Sequence, residues 1–363
     1  MRILYLAPFT SRVDHFDSGA VGYGATSGGA IVRELRRLGH TVDTVPAHPR
    51  GTKAEHAAQT YEELNRLDLK QYDSLFMYNT FHQFAAEVRR LLYESGAVET
   101  LLAGYTHGSH WDPSDEVRHG YPLLKFADLG NVLALDVVFL VSRYMLEAMS
   151  RTIHAELGAG AAAEFRRRAR VVGGTIDTER MDAAHTEPGE GADILFNHSP
   201  TPAKQPGEFF RTVAGVLADT TDVTVTVTRR FRQADPGFAD LQRLTQRFPD
   251  RVRLGDTLPI DEYFRRLWRG LIQVSTATHE SFGVSTVEAI YAGCVSLLPA
   301  RGCYPEVAGE AGIYRDGELG EALLRYLGSS RDRARTAAAQ RQEIERYFPA
   351  NVAGRIADAL AGR

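Results

Sequence analysis

The chain has 363 residues, of which 44% are hydrophobic and 24% charged, a composition typical of a globular protein with two to three domains. Its net charge of −4 gives no general attraction to nucleic acid, and no apolar run approaches the roughly 20 residues that span a bilayer. Two cysteines exclude a disulfide framework and a four-cysteine zinc site. The apolar N-terminus MRILYLAPF has the pattern of a first strand rather than of a leader, so we expect a cytoplasmic protein.

The first half of the chain alternates between predicted strands and helices. A Gly-rich loop at 8–29 follows the first strand, and it lacks the G-x-G-x-x-G pattern of a nicotinamide site. Alternation of this kind predicts a mostly parallel sheet covered by helices on both faces. The predicted elements are a strand at 3–7, a helix at 31–38, a strand at 41–45, a helix at 54–67, a strand at 74–78, a helix at 82–93, and strands at 100–105, 136–141 and 170–173.

Polar and aromatic side chains follow two of these strands, at the edge where parallel sheets bind ligands. The second group lies in the stretch THGSHWDPSD at 106–115. Its side chains either stack on and hydrogen-bond a ligand or pack inside the loop as a structural plug. His107 and His110 have no evident third partner for a metal, so no metal is expected. The candidate ligand-binding residues after these two strands are Asn79, His82, His110, Trp111 and Asp112.

A break in the middle of the chain predicts a domain boundary. The tract AAHTEPGEGA at 183–192 has the composition of a loop, so the boundary is placed between Ile176 and Asp193. The predicted domains are residues 1–176, residues 177–348 and a C-terminal helix at 349–363.

The second half begins with a strand at 194–196 and a loop that carries a lysine. Lys204 precedes a helix beginning near Pro206, so its charge and the helix N-terminus could both attract a diphosphate. Arg229 and Arg230 follow the alternating strand 223–228 at the same edge. They either bind phosphate there or form surface salt bridges.

The most informative stretch is residues 275–306. Gly283 allows backbone to come close to a bulky ligand, and the first turn of the helix after it attracts anions. Glu280 in the loop and Glu288 in the helix suit sugar and ribose hydroxyls, although helix-dipole and solvent roles explain them equally well. The stretch is predicted as one βαβ unit, with a strand at 271–275, a helix at 284–292 and a strand at 294–298.

Glu280 and Glu288 are separated by seven residues, and with His279, Phe282 and Gly283 they resemble the E-x7-E motif of retaining GT-B glycosyltransferases of family 4. The longer run HESFGVSTVEAIYAGC most resembles the C-terminal half of the tRNA-queuosine mannosyltransferase relatives. The resemblance implies an α/β fold of the GT-B type, with two Rossmann-like domains facing across a cleft. It also implies a last helix that crosses back to the first domain, and a reaction without metal or cofactor.

The resemblance further implies roles for single residues. Glu280 would contact the donor sugar, and Glu288 the ribose. His107 would face the sugar or the acceptor, so His107 and Glu280 are the candidate catalytic residues. The candidate ligand-binding residues named above, after the strands at 74–78 and 100–105, would bind the acceptor. The implied donor-binding residues are Gly28, Gly29, Lys204, Arg229, His279, Glu280, Ser281, Phe282, Gly283, Val284 and Glu288.

One position departs from the family pattern. Relatives have an arginine five residues before the loop lysine, whereas this chain has Ser199 there. One phosphate cation is therefore missing, and Arg229 or Arg230 would replace it.

These features predict a retaining enzyme that moves a sugar from a nucleotide-sugar to a small-molecule acceptor in bacterial specialised metabolism. The resemblance favours a GDP-sugar, and a UDP-sugar is possible. A first alternative is a tRNA-modifying mannosyltransferase that uses the basic cluster at 166–170. A second is a sugar-nucleotide-binding protein without turnover, which the missing arginine makes conceivable.

Overall fold

A computed structural model describes residues 1–7, 23–45, 52–79, 84–116, 118, 122–189, 191–255 and 258–362. These residues form two compact units. The first unit comprises the described residues of 1–177 and 347–362, and the second comprises those of 178–346. The chain thus passes into the second unit after Asp177, at the start of the interval where the sequence predicts a boundary.

The first unit is built on a parallel sheet with the strand order β2-β1-β3-β4-β5-β6. Its strands are β1 (Arg2–Leu6), β2 (Thr41–Val45), β3 (Ser74–Met77), β4 (Leu101–Thr106), β5 (Val137–Leu140) and β6 (Ala169–Val171). Its helices are α1 (Tyr23–Arg37), α2 (Lys53–Asn65), α3 (Ala85–Glu94), α4 (Lys125–Ala134), α5 (Arg143–Leu157) and α6 (Ala159–Arg168). β3, β4 and β5 are buried along their whole length, as expected for central strands covered on both faces.

The last helix of the chain also belongs to the first unit, where it packs against α1 and β5. This helix, α15 (Pro349–Ala361), buries Val352, Ile356 and Leu360 at helical spacing. Arg355 Nε donates a hydrogen bond to the backbone oxygen of Val172 at 2.9 Å. The core of the first unit is therefore assembled from both ends of the chain.

The second unit is built on another parallel sheet, with the strand order β12-β11-β10-β7-β8-β9. Its strands are β7 (Ala192–Phe196), β8 (Val223–Val227), β9 (Val252–Leu254), β10 (Ile272–Val274), β11 (Val295–Pro299) and β12 (Ile313–Tyr314). Its helices are α7 (Thr178–Ala183), α8 (Pro206–Asp219), α9 (Phe238–Arg247), α10 (Ile260–Arg269), α11 (Val284–Tyr291), α12 (Tyr304–Ala308), α13 (Leu319–Gly328) and α14 (Ser330–Ile344).

The arrangement of the three inner strands positions the candidate site. β7 lies between β10 and β8, with Leu195 paired to Gln273 on one side and to Thr226 on the other. Because all three strands are parallel, the segments that follow them emerge at one edge of the sheet. No helix in the described part of the chain is long and apolar enough to cross a membrane.

Candidate functional site

The loop after β10 is pinned to the loop after β7. Thr278 N donates to the backbone oxygen of Ala203 at 2.8 Å, and Thr276 Oγ1 donates to that of Lys204, also at 2.8 Å. The backbone oxygen of Glu280 accepts from Cys303 N at 3.2 Å. These bonds hold Glu280 next to Lys204, although the two residues are 76 positions apart in the chain.

Lys204 and Glu280 form an ion pair at this edge of the sheet. Lys204 Nζ lies 2.7 Å from Glu280 Oε2, with 19% and 16% of the two side chains exposed. Burial disfavours the ionised carboxyl, but the charge and hydrogen bond of Lys204 outweigh it, and the pKa of Glu280 lies below its ordinary value. The pair therefore presents a fixed cation and a fixed carboxylate side by side.

Gly283 ends the loop and begins α11. Its φ of +82° is in the region that favours glycine. A Cβ at this position would lie 3.3 Å from both Glu280 Cγ and Tyr304 Cε1, so the space also favours glycine. The N–H groups in the first turn of a helix have no intrahelical acceptor and attract anions. The Lys204–Glu280 pair thus lies beside a helix N-terminus.

Glu288 is buried rather than solvated, which excludes the solvent role for this residue. Tyr263 Oη donates a hydrogen bond to Glu288 Oε2 at 2.8 Å. Burial and the charge of Glu288 raise the pKa of Tyr263 well above its ordinary value, so the phenol stays protonated and remains a donor. Tyr263 on α10 thereby fixes the orientation of the Glu288 carboxylate.

The two arginines after β8 differ in their surroundings. Arg230 is exposed, whereas Arg229 is half-buried, with its guanidinium 5.4 Å from the centre of the Tyr263 ring. Arg229 Nε is buried and has no hydrogen-bond partner among the described residues. Arg229 is therefore the better placed of the two to meet an anion.

The rest of the predicted donor-binding set lies around the Lys204–Glu280 pair. His279, Ser281 and Phe282 are buried in the loop, and Val284 at the start of α11 is half-buried. Ser199, where the resemblance implies an arginine, is exposed.

Sequence reasoning missed four polar residues of this region, Asn197, His198, Tyr263 and Gln273. Gln273 had a signal, because it is a lone amide in an otherwise apolar strand. Burial, together with the charges of Lys204 and Arg229, lowers the pKa of His198 to about 3, so this imidazole is neutral near pH 7.

The buried His198 predicts a pH-dependent stability of the second unit. Between about pH 6.5 and about pH 3, His198 is protonated in the unfolded chain but stays neutral in the folded protein. Lowering the pH should therefore reduce the free energy of unfolding by about 1.4 kcal/mol per pH unit through this group. The pH dependence of urea unfolding should be shallower in His198→Gln than in the parent.

The chain has two tryptophans, so Trp111→Phe in both proteins leaves Trp268 to report on the second unit. Equal slopes in the two proteins would contradict the burial of a neutral His198.

In the first unit, His107 follows β4 at the carboxyl edge of the sheet. Its Nε2 lies 3.1 Å from the backbone oxygen of Tyr78, which can only accept, so Nε2 donates this hydrogen bond. The ring lies 4.8 Å from that of Tyr78 and 4.5 Å from that of Tyr105. Asn79, half-buried, follows β3 at the same edge, and His82 lies outside the described residues.

The predicted start of the first helix at Ile31 is wrong, because α1 begins at Tyr23. Gly28 and Gly29 are therefore inside the helix rather than at its N-terminus, and amides beyond the first turn bond within the helix. A Cβ on Gly28 would overlap the hydroxyl of Tyr5. Close packing against Tyr5 explains this glycine without a phosphate.

His110, Trp111 and Asp112 are buried, which favours the second of the two alternatives for this loop, a structural plug. Trp111 Nε1 donates to the backbone oxygen of Lys125 at 2.7 Å. Asp128 Oδ2 accepts from His110 N at 2.9 Å. These side chains hold the loop that follows His107 and offer little surface to a ligand.

Three of the four arginines in the basic cluster at 166–170 form ion pairs, which share two neighbouring carboxylates. Its ion pairs are Arg166–Glu147, Arg167–Glu164 and Arg168–Glu164. Arg170 donates to backbone oxygens at 2.9 Å. These contacts fit the face of a surface helix better than a phosphate-binding patch.

No group of three or more His, Cys, Asp or Glu that could hold a metal occurs among the described residues.

Comparison with known proteins gives similar structures over the whole chain. Sucrose-phosphate synthase from Thermosynechococcus elongatus matches with a TM-score of 0.70 and 13% identity, over 100% of this chain and 98% of the other. An E. coli structure described as trehalose-6-phosphate bound with UDP-2-fluoro glucose matches with a TM-score of 0.71 and 11% identity, over 99% of each chain. The lipopolysaccharide outer core galactosyltransferase WaaB matches with a TM-score of 0.63 and 13% identity, over 100% and 99%.

These similarities establish the fold, and the predicted GT-B architecture of two Rossmann-like domains is confirmed. No protein-family model matches the chain. A short segment is 41% identical over 54 residues to tRNA-queuosine alpha-mannosyltransferase of Drosophila melanogaster. That match covers 15% of this chain and 14% of the relative.

Proposed function

We propose that this protein is a retaining, metal-independent glycosyltransferase of the family 4 type. The observation that carries the proposal is the Lys204–Glu280 pair beside the N-terminus of α11, with Glu288 just over one turn into that helix. A cation and helix amides suit a diphosphate, and flanking carboxylates suit sugar and ribose hydroxyls. The glycosyltransferases among the structural neighbours support the same class.

Catalysis would consist of positioning and electrostatic stabilisation. As the bond between the sugar and the diphosphate breaks, negative charge grows on the leaving phosphate. Lys204 and the amides of the first turn of α11 would stabilise that charge, and Arg229 would supply a second cation in place of the arginine missing at Ser199. Glu280 would orient the sugar ring, and His107 would hold a hydroxyl of the sugar or the acceptor.

The proposal includes a GDP-sugar as donor, which the segment shared with a mannosyltransferase favours, and a UDP-sugar is the next candidate. It also includes a small-molecule acceptor, bacterial specialised metabolism and a cytoplasmic location. The internal pairing of the arginines at 166–170 makes a tRNA acceptor the weaker candidate.

A nucleotide screen tests the function. Thermal-shift measurements with GDP, UDP, ADP and TDP should show that one of these nucleoside diphosphates raises the melting temperature. A second assay should then detect slow hydrolysis of the nucleotide-sugar that carries the same base. Stabilisation without hydrolysis or transfer would favour a binding protein without turnover. Absence of binding to all four nucleotides would overturn the proposal.

A further inference from the structure

A buried network of polar side chains connects β7, β10 and α10 to α11. Its members are Asn197, His198, Tyr263, Gln273 and Glu288. Burying a polar group is costly unless it is hydrogen-bonded, so the hydrogen bonds among these side chains restrict their orientations. One end of this network is the Glu288 carboxylate, and the other is the side chain of Ser285, which the proposed function does not use.

Hydrogen-bond directions in the network follow from one backbone group. The backbone oxygen of Ser285 can only accept, and Asn197 Nδ2 lies 2.8 Å from it. Asn197 Oδ1 therefore faces the other way and accepts from Gln273 Nε2 at 3.2 Å. The same Gln273 nitrogen lies 3.0 Å from His198 Nε2 and donates its second hydrogen there.

The tautomer of His198 follows from these directions. Because His198 Nε2 accepts from Gln273, the neutral ring carries its proton on Nδ1. His198 Nδ1 lies 3.3 Å from Ser285 Oγ, which must then be the acceptor of that hydrogen bond. The Ser285 hydroxyl thus accepts a hydrogen bond from His198, and the hydroxyl proton of Ser285 points away from the His198 ring.

Ser285 is the second residue of α11 and is half-buried, so its hydroxyl lies in the first turn of the helix. The His198 ring that it contacts lies within the electrostatic influence of both Lys204 and Arg229. An oriented hydroxyl in the first turn of a helix that begins beside the Lys204–Glu280 pair suits an anion.

We infer that the Ser285 hydroxyl donates a hydrogen bond to the diphosphate of the bound nucleotide, and that His198 and Gln273 are positioning residues for it. The inference rests on the proposed function and adds a neutral phosphate ligand to that site.

Calorimetric titration of Ser285→Ala tests the contact, with the nucleoside diphosphate from the screen and with the matching nucleoside. The Kd for the diphosphate should rise about tenfold, as expected for a hydrogen bond to a charged group. The Kd for the nucleoside should stay within about twofold of the parent value. Ser285→Thr keeps a hydroxyl, so it should retain most of the affinity that Ser285→Ala loses. Ser296→Ala is the control: it removes a buried hydroxyl of β11, and its Kd for the diphosphate should equal that of the parent.

The positioning role is tested by Gln273→Met, which keeps the volume and removes the donor. Its Kd for the diphosphate should rise about as much as in Ser285→Ala, and the double variant should lose no more than either single one, because both changes remove one contact. Additive losses would show that Gln273 acts independently of Ser285. If Gln273→Met does not fold, the Ser285→Ala and Ser285→Thr pair still decides the contact.

Two failures are distinguishable. If the parent protein binds no nucleoside diphosphate, the proposed function and the inference both fall. If the parent binds and Ser285→Ala binds equally well, or loses nucleoside and diphosphate alike, only the inference falls.

Discussion

Replacing Glu280 with alanine should lower the rate of sugar transfer by about 10²–10³-fold, the loss typical of removing one preorganised group from a polar site. Binding of nucleoside diphosphate should persist, because Lys204 is then released from its ion pair and remains available to phosphate. The measurements are initial rates with the donor identified by the screen and titration with the corresponding diphosphate.

Two variants control this result. Glu280→Gln keeps the shape and removes the charge, so it should lose most of the activity as well. Glu321→Ala removes an exposed carboxylate of α13 in the same unit and should leave the rate unchanged. Full transfer activity in a folded Glu280→Ala protein would reject the assigned role of this residue.

The second large effect is expected at Glu288, where alanine should weaken the nucleotide itself. A hydrogen bond to a charged group contributes about 1.5–3 kcal/mol, so the Kd should rise roughly 10- to 100-fold. Nucleoside and nucleoside diphosphate should be affected alike, because the contact proposed for Glu288 is to the ribose. Titration with both ligands measures this.

Alanine at 288 also leaves the hydroxyl of Tyr263 without its buried acceptor. Glu288→Gln keeps an acceptor oxygen for Tyr263 and separates the loss of a ribose contact from the loss of stability. Tyr291→Phe controls for the loss of a tyrosine hydrogen bond at α11 that does not involve Glu288. Tyr291 is on the same helix, and its hydroxyl donates to Asp182. Small and equal effects of alanine at 280 and 288 would reject the site.

The βαβ unit around these residues was predictable to within one or two positions. Apolar runs mark β10 and β11, and glycines at 283 and 293 bracket α11 with positive φ. These are local signals, so one segment suffices to predict them. The placement of Glu280 and Glu288 on a single unit follows from the same pattern.

Other features depend on residues far apart in the sequence. Gly28 was expected in a loop because glycine is common there, whereas its helical position depends on contact with Tyr5 of β1. From the sequence Trp111 is compatible with either a ligand contact or a structural plug, and its hydrogen bond to the distant Lys125 favours the plug. The polar network around Gln273 joins four segments, and no single one of them predicts it.

The position of α15 has a consequence for biosynthesis. A ribosome makes residues 1–177 first, but the surface of α1 that α15 covers stays open until residues 349–361 have emerged. The intervening 178–346 can complete its own sheet during that time. Although translated second, the unit at 178–346 is thus the first part of the nascent chain that can finish folding.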